Sequence, residues 1–279
     1  MSTSDHPIRC LSGADLRARY NATEPVVIDG ASIEIPVGRI SVLIGPNGSG
    51  KSTLLKLLAR QLEPEAGRVI LDRREITELP SWELARKLGI LFQENVAPHD
   101  LTVEELTYHG RHPHRRMFES LTPEDHTAVE EALRLTDMDP LRDRPIGHLS
   151  AGQRQLAWIA LALAQSPHYL FLDEPTTFLD PAHQFDIMDL VLRLKRELGK
   201  TLVLVLHDLN LAARYADHLF ALRDGKIVAS GTPAEILTPE TLRRVFDIEA
   251  RIIREEETGT FLCVPVKKAP PASSLFTTT

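Results

Sequence analysis

The sequence is poor in cysteine and has no long apolar run, no positive net charge and no internal repeat. Of its 279 residues only two are cysteines, Cys10 and Cys263. They form neither a C-x-x-C pair nor a ladder of spacings, which argues against a disulfide framework or a zinc site and points to a reducing compartment. The longest apolar runs, LAWIALALA and LVLVL, fall well short of the ~18 residues that a membrane span needs. The opening MSTSDHPIRCLSGADLR has no apolar h-region, so no secretory signal is expected. If the protein works at a membrane, another chain must do the spanning. A formal charge of -7 repels nucleic acid over much of the surface, and no nucleic-acid partner is expected. RHPHRR is a candidate for a local basic patch.

What is present is a globular composition, 43% hydrophobic, ample for a buried core. Its most specific stretch is IGPNGSGKST, residues 44–53, directly after the apolar run RISVL. Gly45, Gly50, Lys51 and Ser52 stand in the spacing G-x-x-x-x-G-K-[ST]. Glycines let such a loop bend until successive N–H groups point inward at phosphate. Lys51 then reaches the β and γ phosphates, and the Ser52 hydroxyl can bind Mg²⁺. KSTLLKLLARQL has the periodicity of a helix, whose N-terminus adds partial positive charge.

Around this loop the chain alternates strand and helix. Short strands are expected around VVIDGASIEI, then GRVILD, helix SWELARKL and strand GILFQ. From Glu94 to about Gln165 the pattern turns helical, with TVEELTYHG, PEDHTAVEEALRLTDM and QRQLAWIALALAQ. Alternation then resumes through YLFLDE, PAHQFDIMDLVLRLKRELG, TLVLVLH, LNLAARYADH and LFALRDGKIVASG. This predicts an α/β fold with a largely parallel sheet, whose all-apolar strands are buried on both faces. EARIIREEETGTFLCVPV reads as a hairpin, and KKAPPASSLFTTT as a loose tail.

Strand ends in such folds carry ligands. YLFLDEP delivers Asp173, which can hold Mg²⁺, and Glu174, which can orient and deprotonate a water. TLVLVLH ends in His207, placed to touch a γ-phosphate, and GILFQ ends in Gln93. With Lys51 these residues form one coherent constellation.

LSAGQ, residues 149–153, resembles the LSGGQ signature of ABC ATPases and lies upstream of LFLDEPTTFLD at the distance seen in that family. The resemblance covers nearly the whole chain. It implies a P-loop NTPase fold with a RecA-like core, an antiparallel β subdomain and an α-helical subdomain. Residues 1–265 would form one ABC ATPase domain, with the helical subdomain at about 94–165 and a tail at 266–279. By the same resemblance Tyr20 stacks on adenine, and Gly45, Pro46, Asn47, Gly48, Ser49, Gly50, Lys51, Ser52 and Thr53 hold the phosphates of ATP. Ser52, Gln93 and Asp173 hold Mg²⁺, Gln93 links that site to a transmembrane partner, Glu174 is the catalytic carboxylate, and His207 is the switch histidine. Asp180 is the aspartate of the loop after the catalytic strand. Ser150, Gly152 and Gln153 face the γ-phosphate bound by a second copy of the chain, so the resemblance implies a homodimer.

The signature also has a physical reading. Ser150 and Gln153 make the S-x-x-Q capping box, so Ser150 is the expected N-cap of a helix whose positive end can meet an anion. Ala151 stands where the signature usually has glycine. Close backbone approach is expected chiefly at Gly152, so the Ala151 methyl should be tolerated.

HGRHPHRRMF, LDEPTTFLD and LHDLNLAARYADHLFALRDGKIVASG look like the ATPases of iron-siderophore importers, with haem and cobalamin importer ATPases as near relatives. That implies transmembrane permease subunits, indirectly a substrate-binding protein, and a peripheral place on the cytoplasmic face of the cell membrane. His109, His112 and His114 are not read as a metal site, because Pro113 interrupts the segment and the family carries a G-R-x-P-H stretch there. A soluble ABC ATPase would usually carry tandem nucleotide domains or a coiled-coil insertion, and neither is visible. A P-loop kinase gives no reason for LSAGQ.

Overall fold

The computed structural model describes residues 10–93, 95–115, 119–257 and 259–269. Contacts divide the chain into two units, Met1–Arg73 with Val205–Thr279, and Arg74–Leu204.

The first unit begins with β1 (Leu11–Ala18), β2 (Ile28–Ile35), β3 (Ile40–Ile44), α1 (Lys51–Leu58) and β4 (Ala66–Leu71). β1 pairs antiparallel with both β2 and β4, Leu11 facing Ile35 on one side and Leu71 on the other. β1 is not among the strands expected from the sequence. LSGADLRA breaks strict alternation at a bulge, where Asp15 adopts φ 50°, so the period-2 signal is interrupted inside the strand. β3 is buried along its whole length, as a strand covered on both faces must be.

The second unit holds β5 (Arg74–Glu75), α2 (Ser81–Lys87), β6 (Leu88–Leu91), α3 (Val103–His109), α4 (Pro123–Leu135), α5 (Ala151–Ala164), β7 (Tyr169–Asp173), α6 (Pro181–Leu198) and β8 (Thr201–Val205), whose last residue lies at the boundary. The strand order is β8-β7-β6. β6 and β7 run parallel, Leu88 beside Tyr169 and Leu91 beside Leu172. β7 and β8 are fully buried, in keeping with their unbroken apolar sequences. The helices α3, α4 and α5 fall where helical periods replace alternation. α3 and α4 start with reciprocal capping boxes, Thr102 with Glu105 and Thr122 with Asp125, each cap worth ~1 kcal/mol.

The chain then completes the first unit with α7 (Leu209–Tyr215), β9 (His218–Arg223), β10 (Lys226–Gly231), α8 (Pro233–Ile236), α9 (Pro239–Phe246), β11 (Ile248–Arg254) and β12 (Phe261–Lys268). β9 lies between β3 and β10, parallel to β3 and antiparallel to β10. β11 and β12 form the expected hairpin. The strand runs further than composition suggests. Lys267 and Lys268 pair with Glu249 and Ile248, and Ala269 donates its N–H to the carbonyl of Asp247 at 2.7 Å. Residues 267–269, expected within a loose tail, instead continue the hairpin pairing, and residues 270–279 lie outside the described residues. Among the described residues no helix is long and apolar enough to cross a membrane.

Candidate functional site

In the first unit, β3 delivers the chain into the loop 45–50, and α1 begins at Lys51. Gly45 has φ 156° and a Cβ there would lie 2.3 Å from the carbonyl oxygen of Leu222; Gly50, the N-cap, has φ 97° and a Cβ would lie 2.7 Å from Cδ1 of Ile28. Both conformation and space require glycine. Lys51 is only 5% exposed. Its Nζ curls back to donate to the carbonyls of Gly45 at 2.9 Å and Pro46 at 3.0 Å. Ser49 Oγ is buried without a hydrogen-bond partner among the described residues. An orphaned hydroxyl and an ammonium held by carbonyl oxygens, at a helix start, fit a phosphate group.

Tyr20, between β1 and β2, is 45% exposed. Its hydroxyl meets Thr53 Oγ1 at 3.1 Å, and Lys56 Nζ sits 5.4 Å from the ring centroid. The ring is thus fixed beside α1 with much of its surface in solvent, as a stacking platform requires. Thr53 and Lys56 as its anchors were not anticipated from sequence. His207 follows β8 and is exposed, next to Asp208, which caps α7 by accepting from the N–H groups of Asn210 and Leu211.

In the second unit, β7 ends at Asp173, 4% exposed, and Glu174 follows in the left-handed region at φ 53°. A non-glycine residue there costs of order 1 kcal/mol. The Glu174 Oε2 accepts from Gln93 Nε2 at 3.0 Å and from Thr177 Oγ1 at 3.1 Å. Gln93 and Glu174, predicted from separate strand ends, are therefore brought together. Thr177 was missed; its only sequence signal is a hydroxyl three residues after the acid.

α5 starts as the signature predicts. Ser150 Oγ accepts from the N–H of Gln153 at 3.2 Å, and Gln153 Oε1 accepts from the N–H of Ser150 at 3.1 Å. Ala151 is exposed and Gly152 buried. Close approach at Gly152 has an owner within the chain: a Cβ there would lie 2.2 Å from Cδ2 and 2.6 Å from Cγ of His183. Asp180 caps α6, accepting from the N–H of His183 at 3.1 Å through Oδ1 and from its Nδ1 at 2.7 Å through Oδ2. The backbone N–H of His183 first, and its ring second, hold the Asp180 carboxyl below its ordinary value. Phe178, between Glu174 and Asp180, is also left-handed at φ 63° and is 90% exposed.

The RHPHRR stretch is no free basic patch among the described residues. Arg111 is buried in an ion pair, its Nε 2.7 Å from Asp125 Oδ1, and also donates to the carbonyl of Ala164. His114 Nε2 meets the carbonyl of Gln165 at 2.9 Å, and His109 Nδ1 meets His112 Nε2 at 3.0 Å. Glu94 and Arg116–Phe118, part of the expected helical insert, lie outside the described residues.

Comparison with known proteins agrees with this geometry. A family model described as "ABC transporter" matches residues 28–177. The ferric enterobactin transport ATP-binding protein FepC of Escherichia coli K12 is 47% identical over 264 residues, covering 95% of this chain and 97% of that protein. The hemin import ATP-binding protein HmuV of Rhodococcus jostii is 35% identical over 290 residues, covering 95% and 98%. Among solved structures, the dimeric bacterial ABC transporter cassette MJ0796 superposes with a TM-score of 0.70 at 28% identity, over 80% of this chain and 98% of that one.

Proposed function

Since the chain belongs to the ABC transporter family of ATP-binding proteins, we propose that it is the ATPase subunit of an importer for an iron(III)-siderophore chelate, working as a homodimer beneath a transmembrane permease. Hydrolysis of ATP coupled to transport is the family's activity. The observation that carries the cargo is 47% identity over almost the full length to an ATPase of ferric enterobactin transport, against 35% to one of hemin import.

The residues divide the work between binding and chemistry. Lys51 exchanges two backbone carbonyls for phosphate oxygens, a gain because a charged donor favours a charged acceptor. Ser49 Oγ finds in the same phosphates the partner it lacks among the described residues. Tyr20 offers its exposed face to adenine. Ser52, Gln93 and Asp173 are the donors for Mg²⁺, which when bound screens the negative charge of the β and γ phosphates. With its amide nitrogen on Glu174, Gln93 has its amide oxygen left for the cation.

Glu174 orients the attacking water and takes its proton. Gln93 and Thr177 both donate to its Oε2 and so help to set the carboxylate's orientation. His207 contacts the γ-phosphate from the end of β8. The capped start of α5, with Ser150, Gly152 and Gln153, presents its positive end to the γ-phosphate held by the second copy, and Asp180 stands in the loop beside it.

Docking to a permease is supported by membership of the ABC transporter family, with Gln93 and the 94–118 segment as the expected contact. On this reading the chain sits at the cytoplasmic face without inserting, and a substrate-binding protein contributes only through the permease. Uptake of labelled ferric siderophore, haem and cobalamin by cells with and without the chain tests the cargo. Loss of ferric siderophore uptake alone is the expected result. Loss of haem or cobalamin uptake instead would transfer the assignment to those importers, and membrane binding undiminished in cells lacking such permeases would refute the docking.

A further inference from the structure

We propose that His183 is a positioning residue of the ATPase, a clamp that fastens the start of α5 to the loop between β7 and α6. The inference rests on the reading above, in which the start of α5 faces a phosphate on the second copy.

The clamp has two jaws. On one side the imidazole Nδ1 donates to Asp180 Oδ2 at 2.7 Å while the backbone N–H of the same residue donates to Oδ1 at 3.1 Å. Both carboxylate oxygens are engaged by one residue. Its Nδ1 carries the proton, since a carboxylate only accepts. On the other side the ring lies against Gly152, so closely that a Cβ on that glycine would sit 2.2 Å from Cδ2, 2.6 Å from Cγ and 3.0 Å from the Cβ of His183. Tightness here is not relieved by rotation of a long side chain, because the ring is already tied to Asp180.

Two segments far apart in sequence thereby share one rigid contact. α5 carries the capping box of Ser150 and Gln153 one residue either side of Gly152 and Ala151, so a shift of Gly152 moves the whole phosphate-facing turn. The loop on the other side holds Glu174 and Phe178 in left-handed backbone, a conformation that persists only where neighbours fix it. Asp180, as N-cap of α6, ends that loop. His183 is thus placed to keep the signature turn and the loop that follows the catalytic strand in one register. It touches neither nucleotide nor water in this account and acts through Gly152 and Asp180.

This assigns a different cause to the glycine of the signature. If phosphate alone demanded Gly152, a methyl there would be harmful whatever stands at 183. If the imidazole demands it, removing the ring makes room for the methyl. The test compares ATPase kinetics of the purified full chain carrying His183→Ala, His183→Asn, Gly152→Ala and the double substitution Gly152→Ala with His183→Ala, each with ATP affinity and melting temperature measured alongside.

His183→Ala should lower kcat about tenfold or more while ATP affinity changes less than twofold. His183→Asn, which keeps a donor for Asp180 on a smaller side chain, should recover activity to within about threefold of the parent. Gly152→Ala should lower kcat at least tenfold in the parent but less than twofold in the His183→Ala background. An equal loss in both backgrounds would overturn the clamp and leave phosphate as the cause of the glycine. A fall in ATP affinity matching the fall in kcat for His183→Ala would also overturn it, since a residue of α6 that acts by positioning the signature turn has no reason to act on ground-state binding. Ser150→Ala checks the underlying reading separately. It should lose most activity with His183 intact, and full activity in that variant would refute the phosphate-facing role of α5 whether or not the double substitution shows rescue.

Discussion

The amide of Gln93 donates to the carboxylate of Glu174 across 3.0 Å, and it does so to the same oxygen that Thr177 holds. Two donors on Oε2 help to set the orientation of the carboxylate. Glu174→Gln keeps the shape and removes the base. The variant should bind ATP normally and hydrolyse it ~10² more slowly or worse, the range general-base help usually supplies. It should then accumulate as an ATP-bound dimer on a sizing column. A variant that elutes as a monomer and turns over at the parental rate would refute the role of Glu174.

Lys51 presents a different balance, because it is buried within its own loop rather than displayed on it. Lys51→Ala removes the charged contact to the β and γ phosphates and should abolish ATPase activity. It also strips the carbonyls of Gly45 and Pro46 of a donor. The stability cost should stay near ~1 kcal/mol, since a neutral loop carbonyl can turn to water. Turnover assays and a melting curve check the two halves. Parental turnover would remove the loop 45–53 from the site.

The loop, the capped signature and the acidic strand end were legible in the sequence because each depends on neighbours within a few positions. Gly45 to Ser52 is a spacing, Ser150 and Gln153 are a capping box, and YLFLDE is an apolar run ended by acids. The pairing of Gln93 with Glu174 was legible only as a shared place at strand ends. What escaped was settled by packing between distant segments. His183 against Gly152 has no local signal, since a histidine in the first turn of α6 looks like any solvated polar residue. Burial of Arg111 in a salt bridge escaped for the same reason, its partner Asp125 lying beyond it in α4. β1 was missed because its bulge breaks the alternation, and the end of β12 because Lys and Pro lower strand propensity at an edge, where they are nevertheless tolerated.

The Arg111–Asp125 pair makes a stability prediction with a definite sign. Burial pushes the Asp125 carboxyl up, but the backbone N–H of Thr122, the Arg111 guanidinium and the Thr122 hydroxyl outweigh it and bring the value from 3.8 down to about 2. A depressed value means that the charged form is favoured in the folded state. The contribution is full above pH ~4 and is lost as the pH falls through about 2, amounting to ~2 kcal/mol by linkage. Asp125→Asn should cost more at neutral pH, ~3 kcal/mol, because it leaves a buried guanidinium without its counter-charge. Calorimetry should show a fall of roughly 6 °C or more at pH 7 and a smaller gap between variant and parent at pH 2. An unchanged melting temperature at neutral pH would mean that the pair contributes nothing net.

Ala151, the departure from the usual signature glycine, sits at the first position of α5 with its methyl exposed, while the next residue is the one without room for a Cβ. In a helix interior alanine is favoured over glycine by ~1 kcal/mol, and by less at this end, so the methyl carries no local penalty. Its own N–H is among the unpaired donors of the helix start and remains free to face an anion whichever residue stands there. Ser150 meanwhile accepts the N–H of Gln153 and keeps its own O–H for a phosphate oxygen. Ala151→Gly should therefore change the ATPase rate by less than about threefold, which at ~1.4 kcal/mol per tenfold is under 1 kcal/mol. Ser150→Val, which removes cap and donor together, and Gly152→Val, which drives two methyls into the His183 ring, should each abolish most of the activity. Steady-state assays on the three purified variants rank them directly. A hundredfold rise in Ala151→Gly would mean that the methyl holds the facing phosphate away, making this chain a weakened site suited to one half of a heterodimer and refuting the homodimer.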